Sequence, residues 1–215
     1  IDWAQDEIIQ DTYELIKNNN INLKTTWFST HESKQILKMS KDPNIEIGIH
    51  PNYNGLFNKD FSNGTSSYEV IKRCLRLSPK CNSIRSHSLT NSERLLDQFK
   101  ENGLSHICNN FIPYSSEIII KPYRIWDDLI IIPHCWQDNV SLRMRNDIPL
   151  GSTKKESNLL VYDFHPIHIF LNTESLERYE KTRPLHSDPN ELIKHRYNGY
   201  GIRNQLIDLI RIIGK

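Results

Sequence analysis

The chain has 215 residues, with 27 Lys and Arg against 26 Asp and Glu and a formal net charge of +1 at pH 7. That length suits one domain with a substantial core, and the balanced charge argues against a dedicated nucleic-acid or anionic-membrane surface. No apolar run approaches the ~20 residues that span a bilayer. Cys74, Cys81, Cys108 and Cys135 form no C-x-x-C pair, so they read as free thiols of a reducing, cytoplasmic setting.

Ile1-Asp2-Trp3 reads as the end of a first strand that begins upstream. Asp6 suits the N-cap of a helix over 6–17, whose apolar face is Ile8, Ile9, Tyr13, Leu15 and Ile16 and which three Asn residues stop. Residues 22–29, rich in β-branched and aromatic side chains, read as a strand, 32–39 as a short helix, and 45–49 as a strand in which Ile45, Ile47 and Ile49 alternate with Glu46 and Gly48. A long polar and aromatic loop over 51–65 follows, of the kind that usually carries function. Then come a helix over 66–77, a strand over 82–87, a helix over 92–102 closed by Gly103, and a short strand over 105–108. Beyond this point the alternation breaks. Residues 116–121, 129–135 and 158–164 read as strands, with no helix before Glu174; 174–181 and 202–213 read as helices, and 182–199 as irregular. Strand–helix alternation in the first half predicts a parallel sheet or barrel.

Several strands end alike. IEIGIH closes on His50, SIRSHS carries His87, LIIIPH closes on His134 and LLVYDFH on His165, while Asp2 stands at the end of IDW. Carboxyl ends of parallel strands are where catalytic groups gather. Asp and His side chains from separate strand ends suit a divalent transition metal such as Zn²⁺ and leave a coordination position open for water. A further His on the opposite lip can protonate a leaving amine, and the set together suits hydrolysis of an amide or ester. Each residue also has a plainer reading. Asp2 suits a helix entry, His50 a turn before Pro51, His87 an exposed loop, and His165 and His168 hydrogen-bonded core positions. The Trp126-Asp127-Asp128 turn suits simple capping. His31, His106, His186 and His195 lie in helices or polar loops with no partner signal.

The segments IDWAQDE, EIGIHPNYN, IRSHSL, IWDDL, IPHCWQD and YDFHPIHIFLNT occur in this order over nearly the whole chain. Together they resemble the polysaccharide deacetylase superfamily, the NodB-homology fold of carbohydrate esterase family four. The resemblance is to its divergent WbmS-like branch, found among lipopolysaccharide and capsule biosynthesis genes. It implies an α/β fold, a distorted (β/α)7 barrel, forming a single catalytic domain over 1–215. It places metal ligands at Asp2 and at His50 in an E-[IV]-G-x-H context; the family's usual second His falls on Asn54, which leaves His87 as the replacement third ligand. Arg85 stands close to the family's Arg-containing third motif, without the usual R-x-P-Y, and Trp126 with Asp127 or Asp128 is similar to the fourth. His165 matches the last motif and takes the general-acid role, with Asp163 or an Asp of the 126–128 turn orienting or supporting it. The base of this branch falls before residue 1, which leaves Asp6 or Asp128 as alternatives within the chain. Arg85, Asn52 and Trp126 are the candidate substrate contacts, and Tyr53, Phe57, Trp126 and Trp136 the candidate sugar-stacking rings.

The implied function is metal-dependent removal of an N-acyl group, acetyl or formyl, from a sugar during surface-glycan or lipopolysaccharide biosynthesis. The implied cofactor is a divalent transition metal, zinc by the donor set. The implied partner is a carbohydrate or nucleotide-sugar substrate, with no nucleic acid and no integral membrane segment; oligomeric state is not legible. An O-acyl esterase would use the same residues. The departures at Asn54 and at the missing R-x-P-Y feed a different alternative, a catalytically silent sugar-binding or scaffold member of the fold.

Overall fold

The computed structural model describes residues 1–116, 118–144 and 159–213. Helix α1 (Asp6–Asn19) carries Asp6 and Glu7 in its first turn, where carboxylates meet the positive end of the helix dipole, and buries Ile8, Ile9, Leu15 and Ile16. Strand β1 (Thr25–Ser29), helix α2 (Lys34–Met39) and strand β2 (Ile45–Ile49) follow, and the long loop after β2 holds one short helix, α3 (Asn54–Phe57). Next come α4 (Ser67–Leu77), β3 (Ser83–Ile84), α5 (Glu93–Glu101) and β4 (His106–Ile107). Ser33, Ser66 and Ser92 cap α2, α4 and α5, each hydroxyl accepting from the backbone N–H three residues on. Such caps satisfy donors that a helix start leaves free. Gly103, at φ +76°, turns the chain out of α5 where a side chain would be strained.

The second half departs from the sequence pattern. No strand forms over the described part of 116–121, where Glu117 lies outside the described residues; the edge strand is β5 (Tyr123–Arg124). The strand predicted over 129–135 forms only as β6 (Ile130–Ile131) and stops before Pro133, which has no N–H for a ladder; a separate strand, β7 (Trp136–Gln137), lies just beyond the predicted end. Helix α6 (Asp138–Met144) then starts where no helix is predicted. Only the end of the 158–164 segment is strand, β8 (Tyr162–Asp163), and Asn158 lies outside the described residues. A second unpredicted helix, α7 (Pro166–Leu171), follows at once, with Pro166 in its first turn and Asn172 in the left-handed C-cap at φ 49°. Both are helix-boundary signals, overridden in the pattern by a strand-like run of Ile and Phe. Helices α8 (Leu176–Thr182), α9 (Pro189–Leu192) and α10 (Ile202–Ile213) complete the chain, so the stretch predicted as irregular contains one short α-helix and two 3₁₀ turns.

The main sheet has the order β1-β2-β3-β4-β6-β5, parallel except for β5 at the edge, and β7 and β8 form a separate parallel pair. The α/β class with a mostly parallel sheet is as expected. Closure into a seven-stranded barrel is not seen among the described residues. Gly48 lets β2 sit close to its neighbours, since a Cβ there would lie 2.6 Å from Ser83 Oγ and 2.7 Å from the Phe28 ring. One apolar cluster, including Ile8, Ile9, Trp27, Ile169, Leu206 and Ile210, joins α1, α7 and α10; a second, including Ile49, Ile71, Ile84, Phe99 and Ile107, joins α4 and α5 to the strands. Arg196 and Arg203 both pair with Asp11 and so tie the C-terminal segment to α1. All four cysteines are unpaired. Among the described residues no helix is long and apolar enough to cross a membrane.

Candidate metal centre

The ladder between parallel strands continues past their formal ends and sets the site. His50 N donates to Ser29 O at 2.9 Å, Arg85 N to Ile49 O at 3.1 Å and His87 N to Pro51 O at 2.9 Å. His50 and His87 therefore stand on adjacent strand ends. On the far side of β1, Ile1 N donates to Phe28 O at 3.0 Å and Trp3 N to Thr30 Oγ1 at 3.0 Å, which holds Asp2 beside the same edge. Ala4 N closes this turn onto Ile1 O at 3.0 Å, with Asp2 at φ 42° and Trp3 at φ 60°. The left-handed region costs an L-residue ~1–2 kcal/mol, so the turn that presents Asp2 is strained. The second sheet supplies the opposite lip. Gln137 pairs with Asp163, which brings the next residue, Asp138, against His165: Asp138 Oδ2 accepts from His165 N at 2.5 Å, and Asp138 Oδ1 lies 2.6 Å from His165 Nδ1.

These two lips meet at one carboxylate. Asp2 Oδ1 lies 3.0 Å from His50 Nε2 and 3.4 Å from His87 Nδ1, and Asp2 Oδ2 lies 3.2 Å from His165 Nε2. One ligand atom from each of Asp2, His50 and His87 falls within 4.8 Å of the others. Asp2 Oδ1 is buried with no hydrogen bond aligned on it, and His50 Nδ1 is likewise unpartnered. A buried carboxylate oxygen with unused lone pairs, facing two imidazole nitrogens, fits a divalent transition metal. Burial alone would raise the Asp2 carboxyl, but the imidazoles of His165, His50 and His87 hold it well below the usual carboxylate range. Burial pushes His50 down to about 4, against the pull of Asp2, so its ring is neutral and able to ligate at pH 7. Burial would also lower His165, yet the Asp138 carboxylate, helped by Asp2, holds it well above its ordinary value. A cavity of about 660 Å³ opens beside the cluster, lined in part by Asp2, His50, Arg85, Asp163 and His165.

The sequence candidates thus separate. Asp2, His50, His87 and His165 come together. Asp163 supports His165 through its charge and not by a hydrogen bond; its Oδ2 accepts from Arg85 Nη2 at 2.7 Å, and Arg85 also donates to Cys108 O at 3.1 Å and lies against His134. Arg85 is buried and ion-paired, a holder of Asp163 rather than an exposed substrate contact. The turn carrying Trp126 and Asp128 directly precedes β6, so it sits at the strand N-termini, the opposite end of the sheet from the cluster. There Asp128 pairs with Arg124 at 2.6 Å on the surface, and the Asp127 side chain lies outside the described residues. Asn52 Oδ1 accepts from Asn54 N at 3.0 Å, a loop-shaping bond. Asp6 accepts from the Ser33 hydroxyl, joining the starts of α1 and α2. Of the predicted stacking rings, Tyr53 and Trp136 are 2% and 5% exposed and belong to the core, whereas Phe57 and Trp126 are exposed. Asp138 is the residue the sequence reading misses. It closes IPHCWQD as His165 closes VYDFH, and that parallel is the signal that could have found it.

Comparison with known proteins fits this geometry. No curated protein sequence matches the chain. The crystal structure of WbmS from Bordetella bronchiseptica, provisionally described as a polysaccharide deacetylase involved in O-antigen biosynthesis, is similar at 36% identity and a TM-score of 0.88, over 98% of this chain and 86% of that one. The family model for WbmS-like polysaccharide deacetylases matches residues 1–183. A strand-end Asp and His cluster, an α/β fold and a family match over most of its length lead to one conclusion: the chain belongs to the WbmS-like polysaccharide deacetylase family.

Proposed function

We propose that this protein is a metal-dependent hydrolase that removes an N-acyl group, acetyl or formyl, from a sugar of a surface glycan of the O-antigen type. One observation carries the reading: the orphaned Asp2 Oδ1 faces His50 Nε2 and His87 Nδ1, directly beside a His165 braced by buried Asp138. A divalent cation such as zinc, held by Asp2, His50 and His87, would polarise the acyl carbonyl and lower the pKa of a bound water. The remaining roles fall to the chain itself. Asp138 fixes the His165 ring through Nδ1 and through the backbone N–H of the same residue. That contact and the charge of Asp138 favour the protonated form of His165. Nε2 faces Asp2 Oδ2 at 3.2 Å beside the proposed cation site, from where its proton would pass to the departing amine. Arg85 takes the direct bond of Asp163, whose charge still adds to the pull on His165, so the hydrogen-bonded carboxylate at His165 Nδ1 is Asp138.

Elemental mass spectrometry of the wild type, His50→Ala and His87→Ala, beside a deacylation assay on N-acetylated and N-formylated sugars, tests this. The expected result is about one transition metal per chain in the wild type, lost together with activity in both variants. Full activity in metal-free protein would overturn the reading.

A further inference from the structure

We infer that Trp3 is the sugar platform of this site: its exposed indole, beside the His87 ring, stacks on the apolar face of the pyranose whose acyl group enters the cluster. This rests on the deacylase reading and adds to it the residue that grips the sugar. Trp3 is 45% exposed, although a ring of this size normally contributes to a core. Its centroid lies 5.3 Å from that of His87, with the planes at 69°, and His87 in turn stands edge-on to His50 at 5.5 Å. The indole is therefore next to the ligand set without being part of it.

The backbone gives a second, independent reason. Asp2 and Trp3 both have positive φ, in a turn closed by Ala4 N on Ile1 O. Such a turn favours Asn or Asp followed by Gly. Asp2 meets that preference and Trp3 defies it: a bulky residue occupies the position where glycine would relieve strain. Strain of this kind persists where the surroundings enforce it and clusters at functional sites. Here Trp3 N is pinned to Thr30 Oγ1 at 3.0 Å, and the ring stays exposed beside His87. The pinned backbone fixes a flat apolar surface that has few rotamers to lose on binding. A pyranose offers a matching C–H face, and its polar rim stays in solvent. Of the sequence-predicted rings, Tyr53 and Trp136 are buried and Trp126 is at the far end of the sheet, while Phe57, exposed on α3, has no ring contact with His50 or His87.

The test compares wild type, Trp3→Gly and Trp3→Phe by calorimetric titration with a panel of N-acetylated and N-formylated pyranosides, together with metal content and a split of KM from kcat. Trp3→Gly should weaken sugar binding and raise KM about five- to tenfold, with metal content kept and kcat little changed. Trp3→Phe should restore most of the affinity. Thermal stability of Trp3→Gly should not fall, because glycine suits the turn; a purely structural Trp3 would instead lower it and leave KM alone. Equal affinity in wild type and Trp3→Gly overturns the platform and leaves the deacylase reading standing. Metal loss in Trp3→Gly also overturns it, since Trp3 would then act through Asp2. If sugars bind and Trp3→Gly loses them while no variant turns over, the platform stands and the deacylase reading falls. If no sugar in the panel binds the wild type, both fall.

Discussion

Two clusters of titratable side chains, each partly buried, lie at the strand ends of this fold, and they are built differently. In the first, Asp2 sits among His50, His87 and His165, yet its Oδ1 has no aligned donor. In the second, the groups are partnered: Arg85 donates to Asp163 at 2.7 Å and to Cys108 O at 3.1 Å, and His134 beside it has Nε2 at 3.3 Å from Gln137 Oε1. A closed network stiffens a fold, and removing one member exposes the rest to an uncompensated charge. An open one keeps bonding capacity for a ligand. The contrast assigns chemistry to the first cluster and support to the second, although both contain His and Asp at strand ends.

The sharpest way to break this contrast is at His50. His50→Ala should abolish both metal uptake and deacylation while the chain stays folded, as judged by circular dichroism and elemental analysis. Retained activity would erase the distinction between the clusters. Asp138→Asn comes next. The amide keeps the shape but loses the charge that braces His165, so kcat should fall about 10²- to 10³-fold with metal content unchanged, read by steady-state kinetics beside elemental analysis. A fall in metal content instead would make Asp138 part of the cation site.

Much of the first cluster is legible in the sequence, and the reason is geometric. Alternation in Ile45–Ile49 locates a strand end, and a strand end fixes the neighbourhood of His50. The same logic reaches His87 and His165. It fails where a partner comes from an unpredicted element. Asp138 starts α6, a helix with few apolar residues to set a period, so its meeting with His165 depends on the β7–β8 pairing alone. Arg85 and Asp163 are both present in the motifs, but two strands must be placed in register before their ion pair exists. Trp126 and Asp128 mislead for the opposite reason. Their spacing resembles a site motif, yet the turn lies before a strand rather than after one, and a sequence pattern does not give the direction of a short, two-residue strand such as β6.

The second cluster predicts losses of stability. Arg85→Met leaves half-buried Asp163 without its cation, which should cost up to about 3 kcal/mol, measured by chemical denaturation. Replacing both partners, Arg85→Met with Asp163→Leu, should recover much of that, since an apolar pair leaves no stranded charge. His134 adds a pH dependence. Burial, with Arg85 beside it, lowers its pKa to about 4 from an ordinary 6.5. The unfolded chain therefore binds a proton that the folded chain refuses across that window, and stability falls as pH drops from 6.5 toward 4. The loss from this residue is at most about 3 kcal/mol. His134→Gln should flatten that part of the curve, and an unchanged slope would mean that the ring is not held neutral by its surroundings.

The smallest expected effect tests the two ends of the sheet. Asp128 pairs with Arg124, but the two side chains are 84% and 68% exposed, and exposed pairs of this kind contribute little. Asp128→Asn, alone or with Trp126→Ala, should therefore leave kcat, KM and the midpoint of thermal unfolding within error of the wild type. If Asp128 were the base that takes a proton from water, kcat would fall steeply instead, and the turn would have to reach a cluster that the parallel strands place at their other end. Asp128 at φ 68° occupies a left-handed turn position that Asp tolerates better than most residues. That conformational tolerance, with the Arg124 pair, accounts for an Asp at this position without catalysis, so an inert Asp128→Asn variant is the outcome that the direction of β6 requires.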